Sequence, residues 1–157
     1  MVLFSLFPSE LSSETFQPLH LPLTLDIDAF PKVYLAGPFF NSSQRWLIRS
    51  ARDALREQSV EVFSPYHDVG YGSAADVVPA DIEAIRACTV LFALFDGLDS
   101  GTVFETGYAR ALEKPVIGYS QSESSENLKM MEGTDCEIYS DFASAIHRAV
   151  WAAYDNR

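Results

Sequence analysis

The stretch Phe95-Asp-Gly-Leu-Asp-Ser-Gly-Thr-Val-Phe-Glu-Thr-Gly-Tyr108 sets Asp96, Asp99 and Glu105 between an apolar run and the start of a helical pattern. Carboxylates gathered there can act as nucleophile, general acid or general base. If Glu105 stands in the first helical turn, the positive end of the helix dipole favours its ionised form and keeps it competent as a nucleophile. The same residues also fit a structural role. Thr102-Val-Phe-Glu105 matches a capping box, in which the glutamate returns a hydrogen bond to the helix start. The local pattern leaves both readings open.

Asp81 is the second carboxylate out of place. In a helix beginning near Pro79 it shares a stripe with Ala84, Ile85 and Cys88 instead of facing water. An acidic residue in a first turn can also be structural, stabilised by the dipole. The turn Ala36-Gly-Pro-Phe-Phe40 has one glycine where a dinucleotide cradle needs several, so it is a poor phosphate site. It presents rings instead, and Phe39 or Phe40 can stack on a flat heterocycle or simply pack in the core. His67 and Asp68 invite an acid–base reading, but no serine or cysteine elbow accompanies them, so they are candidate loop ligands only.

The elements that must position these residues follow from Lys32 onward, where short β-rich apolar runs alternate with longer helical periods. That alternation is the signature of a parallel sheet covered by helices. Strands are predicted over Lys32 to Ala36, Val60 to Phe63, Thr89 to Phe95, Pro115 to Tyr119 and Cys136 to Tyr139. Helices are predicted from Ser43 to Glu57, capped by Asn41 or Ser42, from Pro79 to Cys88, from Thr102 to Leu112, and from Phe142 to about Tyr154. The segments from Ser64 to Ala75 and from Gln121 to Asn127 read as loops. Residues 1–30 carry Pro8, Pro18 and Pro22 and read as an extension with one short edge strand over 21–27, followed by a single domain over 31–157. In an open parallel sheet, ligands bind beyond the carboxyl ends of the strands where strand order reverses. This brings together Gly37 to Asn41, the Ser64 loop, Asp96 to Glu105 and the stretch after Tyr119.

Composition narrows the function classes. A chain of 157 residues with 48% hydrophobic content can bury a core without crosslinks. Cys88 and Cys136 lack metal-ligand spacing, so no zinc site or disulfide framework is expected, and reduced thiols in a cytoplasmic protein are the default. A net charge of −11 argues against DNA or RNA as partner. The N-terminus has no basic region before its apolar residues, and no run approaches the length of a membrane span, so no membrane partner is expected.

Three segments in this order, Val33-Tyr-Leu-Ala-Gly-Pro-Phe-Phe40, Ala80-Asp-Ile-Glu-Ala-Ile85 and Asp99-Ser-Gly-Thr-Val-Phe-Glu-Thr-Gly-Tyr-Ala109, resemble the nucleoside 2-deoxyribosyltransferase family over roughly residues 32–140. The resemblance implies a flavodoxin-like, Rossmann-like three-layer α/β sandwich around a five-stranded parallel sheet. It implies Glu105 as the nucleophile on C1′ of a 2′-deoxyribose and Asp81 as the carboxylate that protonates the leaving base. Asp99 matches a residue that binds sugar hydroxyls, Tyr34 one that supports the nucleophile, and Phe39 an aromatic base contact. Gly37, Phe40, Ser100 and Gly101 lie in the same segments and are taken as further substrate-binding positions. Asn127 resembles a sugar-binding asparagine delivered by a neighbouring subunit, which implies a homo-oligomer, a dimer or larger. The partners implied are a nucleoside and a nucleobase, with no cofactor and no metal.

Alternatives stay open at this point. A hydrolase of the same superfamily would pass the sugar to water, and some relatives act on 5′-monophosphates; Arg45 stands near enough in sequence to serve a phosphate. A phosphoribohydrolase shares part of Ser100-Gly-Thr-Val-Phe-Glu105 but needs paired glycines that are missing here. A non-catalytic nucleoside or nucleotide sensor would keep the pocket and lose turnover.

Overall fold

The structure, a computed structural model, describes residues 30–155. The edge strand expected over 21–27 lies outside them. Five strands, β1 (Lys32–Ala36), β2 (Glu61–Phe63), β3 (Val90–Leu94), β4 (Val116–Tyr119) and β5 (Cys136–Tyr139), form one parallel sheet in the order β2-β1-β3-β4-β5. Chain direction across the sheet reverses at β1 and β3, which places the switch point beyond Ala36 and Leu94.

The strands read as continuous apolar runs because both faces are covered. Val33 and Leu35 of β1, with Val90, Phe92 and Leu94 of β3, pack against helices α1 (Ser42–Arg56) and α6 (Phe142–Asp155). Tyr34, Ala36, Leu91, Ala93 and Phe95 face the other layer, which holds Ile85 of α3 (Ala74–Ala87), Ala109 of α4 (Ser100–Ala111), and Leu128 and Met131 of α5 (Ser125–Glu132). A one-turn helix, α2 (Pro65–Asp68), follows β2. The three-layer α/β sandwich agrees with the expected architecture. Asn41 caps α1, accepting from the Gln44 amide at 2.9 Å while the Gln44 side chain returns a bond to the cap.

Three elements depart from the sequence reading, the first being α2, a helical turn within the Ser64 to Ala75 segment read as a loop. Helix α3 begins at Ala74, a turn ahead of Pro79, because Ser73 and Asp76 form a capping box that nucleates it earlier. Pro79 is thus an interior residue, tolerated at the loss of one backbone hydrogen bond. Within the segment read as a loop, Ser124 caps α5 by accepting from the Asn127 amide. The apolar residues of α5 that reach the core are only Leu128 and Met131, too few to mark a helix by periodicity.

Candidate active site

The turn after β1 approaches the end of β3 so closely that a Cβ at Gly37 would stand 3.0 Å from Leu94 Cβ; a glycine lets the two switch-point segments meet. Around this point lies a cleft of about 360 Å³ lined by Gly37, Phe39, Phe40, Asp81, Asp99, Ser100, Gly101 and Glu105 together with the Val69 to Gly72 loop. Its size falls in the range of small-molecule sites. A larger groove of about 550 Å³ runs between α4 and α5, lined by Val103, Thr106, Met130 and Met131. Its one acid, Asp135, is solvent-exposed and paired with Arg110, so the carboxylates able to do chemistry are in the smaller cleft.

Glu105 is in the second turn of α4, and the capping role belongs to Asp99. Asp99 Oδ2 accepts from the Thr102 amide at 3.0 Å and from the Thr102 hydroxyl at 3.2 Å. The capping-box reading of Glu105 is therefore overturned. Its Oε1 accepts instead from the Tyr34 hydroxyl at 2.7 Å, across the layer boundary between β1 and α4. Tyr34 is fully buried and its ring stacks on Phe63 at 5.6 Å, so the donor is held rigidly.

The electrostatics also differ from the expectation. The dipole fades beyond the first turn, and burial dominates: it pushes the Glu105 carboxyl up to about 7, opposed by the Tyr34 hydrogen bond and assisted by the charges of Asp81 and Asp99. Tyr34 is raised by its own burial and by the Glu105 charge, so it stays a protonated donor. Asp81 stands in the interior of α3, away from the helix start, with Ile85 and Cys88 buried on its stripe. Its Oδ1 is buried with no hydrogen-bond partner among the described residues, and burial raises its carboxyl above the ordinary aspartate range. A carboxyl in that position is suited to hold a proton and release it into the cleft.

Not every expected residue is here. Asn127 does not line the cleft; its amide donates to Glu123 Oε2 at 2.9 Å on the exposed side of α5. Asp96 anchors the β4–α5 connection, accepting from Ser120, Gln121 and Ser122 at 2.8–3.2 Å. Burial raises its carboxyl, but these bonds outweigh it and hold the group low. His67 and Asp68 do not line the cleft. Asp68 accepts from the Ser64 amide at 2.7 Å and pairs with Arg52, and His67 Nδ1 lies 3.1 Å from Ser64 Oγ. Arg45 is likewise committed, donating to the carbonyls of Phe39 and Phe40 at 3.2 and 3.1 Å.

The lining residues that sequence reasoning missed are Pro65, Val69, Gly70, Tyr71, Gly72, Val77 and Thr102. The loop's Gly and Tyr content marked the right segment, but His67 and Asp68 drew attention from the side chain that borders the cleft, Tyr71. Tyr71, Phe40 and Tyr66 surround the Phe39 ring with centroids 5.3–5.7 Å away.

The family model for nucleoside 2-deoxyribosyltransferases matches residues 33–142. No protein of curated function matches the chain in sequence. Among solved structures, the chain is similar to the 2-deoxyribosyltransferase of the psychrotolerant bacterium Bacillus psychrosaccharolyticus, at 30% identity and a TM-score of 0.60, over 73% of this chain and 95% of that one. It shares its fold with the 2-desoxiribosyltransferase of Leishmania mexicana at 22% identity and a TM-score of 0.63, over 77% of this chain and 97% of that one. The Clostridium botulinum CMP N-glycosidase is a third likeness in fold, at 21% identity and a TM-score of 0.57, over 74% and 96%. With a carboxylate cleft at the switch point of its sheet and a family match spanning most of its length, the chain belongs to the nucleoside 2-deoxyribosyltransferase family and is an enzyme acting on N-glycosidic bonds.

Proposed function

We propose that the chain cleaves 2′-deoxynucleosides and transfers the deoxyribosyl group to another nucleobase through a covalent ester on Glu105. The observation that carries this reading is the pairing of Glu105, positioned by the Tyr34 hydroxyl at 2.7 Å, with Asp81, whose buried Oδ1 has no partner among the described residues, in one cleft. Ionised Glu105 attacks C1′ as the C1′–N bond breaks through an oxocarbenium-like state. The bond's electron pair leaves with the base, and Asp81 supplies the proton that neutralises it. A second base then attacks C1′, its N–H proton passes to Asp81, and the ester bond opens to return the Glu105 carboxylate. Two displacements retain configuration.

Asp99 keeps Oδ1 for a sugar hydroxyl while Oδ2 caps α4, and Gly37, Ser100 and Gly101 shape the sugar end. Phe39 and Phe40 supply the aromatic wall for the base. Among the described residues lining the cleft there is no Lys, Arg or His, and a phosphate dianion would face Asp81, Asp99 and Glu105. A neutral nucleoside therefore suits the cleft better than a 5′-monophosphate. Because the Asn127 side chain lies outside the cleft of its own subunit, its sugar contact belongs to a neighbour's cleft in a homo-oligomer, whose size sedimentation would read.

The test is chromatography of 2′-deoxynucleosides incubated with the protein, alone and with a different free base, beside a tube holding a 5′-monophosphate. A new deoxynucleoside forming only with added base, and absent with Glu105→Ala, is the expected result. Free base accumulating without that product would mean hydrolysis, and normal turnover by Glu105→Ala would sink the mechanism.

A further inference from the structure

The cleft is lined on one side by the connection between α2 and α3, whose central side chain has no role in the chemistry above. Tyr71 stands there between two glycines. Tyr71 is 73% exposed, more than Phe40 on the same cleft at 65%. It is held from one side only, edge-on to Phe39 at 5.5 Å between centroids and through a long 3.4 Å hydrogen bond from its hydroxyl to the Phe39 carbonyl.

The segment is anchored at both ends. The Val69 and Gly70 amides bond to the Pro65 carbonyl at 3.1 and 2.7 Å, and the Ser73–Asp76 capping box secures the far end. Gly70 has a φ of +81°, a conformation that other residues adopt at a cost, and nothing stands within 4 Å of where its Cβ would be. For the ring at the tip of this short strap to leave the Phe39 edge, the edge contact and the 3.4 Å hydrogen bond must both be given up.

We propose that Tyr71 closes over the bound heterocycle, covering it where Phe39 and Phe40 leave it open, and so sets how tightly the donor and acceptor bases are held. The inference rests on the glycosidic reading above and deepens it. An aromatic face recognises any planar base, which lets one site serve both the departing and the incoming heterocycle. A closed ring also keeps water from C1′ while the deoxyribosyl ester on Glu105 waits for the acceptor. Tyr71 is thus a binding residue that governs partition between transfer and hydrolysis without taking part in bond exchange.

The test compares wild type, Tyr71→Ala and Tyr71→Phe in donor KM, kcat and the ratio of transferred product to base released into water. Binding of a 2′-deoxynucleoside to the same two variants made on Glu105→Ala is followed by calorimetry. Loss of one base-stacking ring corresponds to about tenfold to hundredfold weaker binding. Tyr71→Ala should therefore raise KM and Kd by at least about tenfold with kcat little changed, and should shift the partition several-fold toward water. Tyr71→Phe should stay near wild type in all of these. Melting temperatures should be equal for the three, since the ring is exposed. An active wild type with Tyr71→Ala unchanged in KM and partition overturns the clamp alone. So does a Tyr71→Phe protein as impaired as Tyr71→Ala, because the hydroxyl contact to Phe39 would then matter in place of the ring. A wild type that neither binds nor turns over any 2′-deoxynucleoside overturns the functional reading, and the clamp with it.

Discussion

The Tyr34 hydroxyl donates a 2.7 Å hydrogen bond to Glu105 Oε1, tying the centre of β1 to the second turn of α4 across 71 positions of sequence. Tyr34 is fully buried and Glu105 is partly buried on the cleft wall; burial raises the pKa of each, and the hydrogen bond alone favours the ionised glutamate. A hydrogen bond to a charged group is worth about 1.5–3 kcal/mol. Its competition with burial decides how much of Glu105 is ionised at neutral pH.

The pH profile follows from that competition. With Glu105 at about 7, kcat/KM should rise as pH increases through that value, because only the carboxylate attacks. Tyr34→Phe removes the interaction that lowers the pKa, so its acidic limb should move to higher pH. Its kcat/KM should fall by about tenfold to a hundredfold, the rate equivalent of one charge-assisted hydrogen bond. A Tyr34→Phe enzyme with an unmoved acidic limb would show that the hydroxyl does not act on Glu105.

Stability should respond to the same carboxyl in the opposite sense. Glu105 has a folded-state pKa of about 7, raised above its ordinary 4.5, so the folded protein takes up the proton more readily than the unfolded chain. The resulting stability is fully present below about 4.5 and is lost as pH rises through about 7. Glu105→Gln, neutral at every pH, should be more stable than wild type by about 1–3 kcal/mol at pH 8, with the difference shrinking toward pH 5. Melting curves at the two pH values measure it, and a pH-independent difference would contradict the buried-carboxyl account.

Asp81 is tested by the leaving group. Asp81→Asn retains shape but carries no proton to deliver, and positioned proton transfer contributes about 10²–10⁴ in rate. The variant should lose about that much on ordinary 2′-deoxynucleosides. It should lose far less on a 7-methylated purine 2′-deoxynucleoside, whose base departs neutral without protonation. Equal losses on both substrates would place Asp81 outside proton transfer.

How far the sequence alone reaches can be judged from individual residues. The sheet was legible because strands covered on both faces become unbroken apolar runs, as in Val90 to Leu94, and the register of a parallel sheet brings their carboxyl ends together. Gly37, Phe39, Phe40, Asp99 and Glu105 were legible for the same reason, since each lies in a segment that leaves one of those ends; Asp81, inside α3, stood out by its apolar stripe and by the family resemblance, and it shares their cleft. The start of α3 was misread because Pro79 is a strong local signal, while the capping pair Ser73 and Asp76 acts across three positions and competes with it. Helix α5 was hidden because so little of it faces the core.

What tertiary structure alone decided is the electrostatic state of the site. Sequence spacing allowed Glu105 to be a capping residue or a carboxylate free of the cap; that it is free depends on Asp99 having taken the cap and on Tyr34 arriving from another layer. Likewise nothing in the order of residues reveals that Asp81 Oδ1 is left without a partner among the described residues, or that Tyr71 and not His67 borders the cleft. Residue types determine which groups can carry a proton or a charge. Only packing determines how much water each retains, and that sets its pKa and its chemistry.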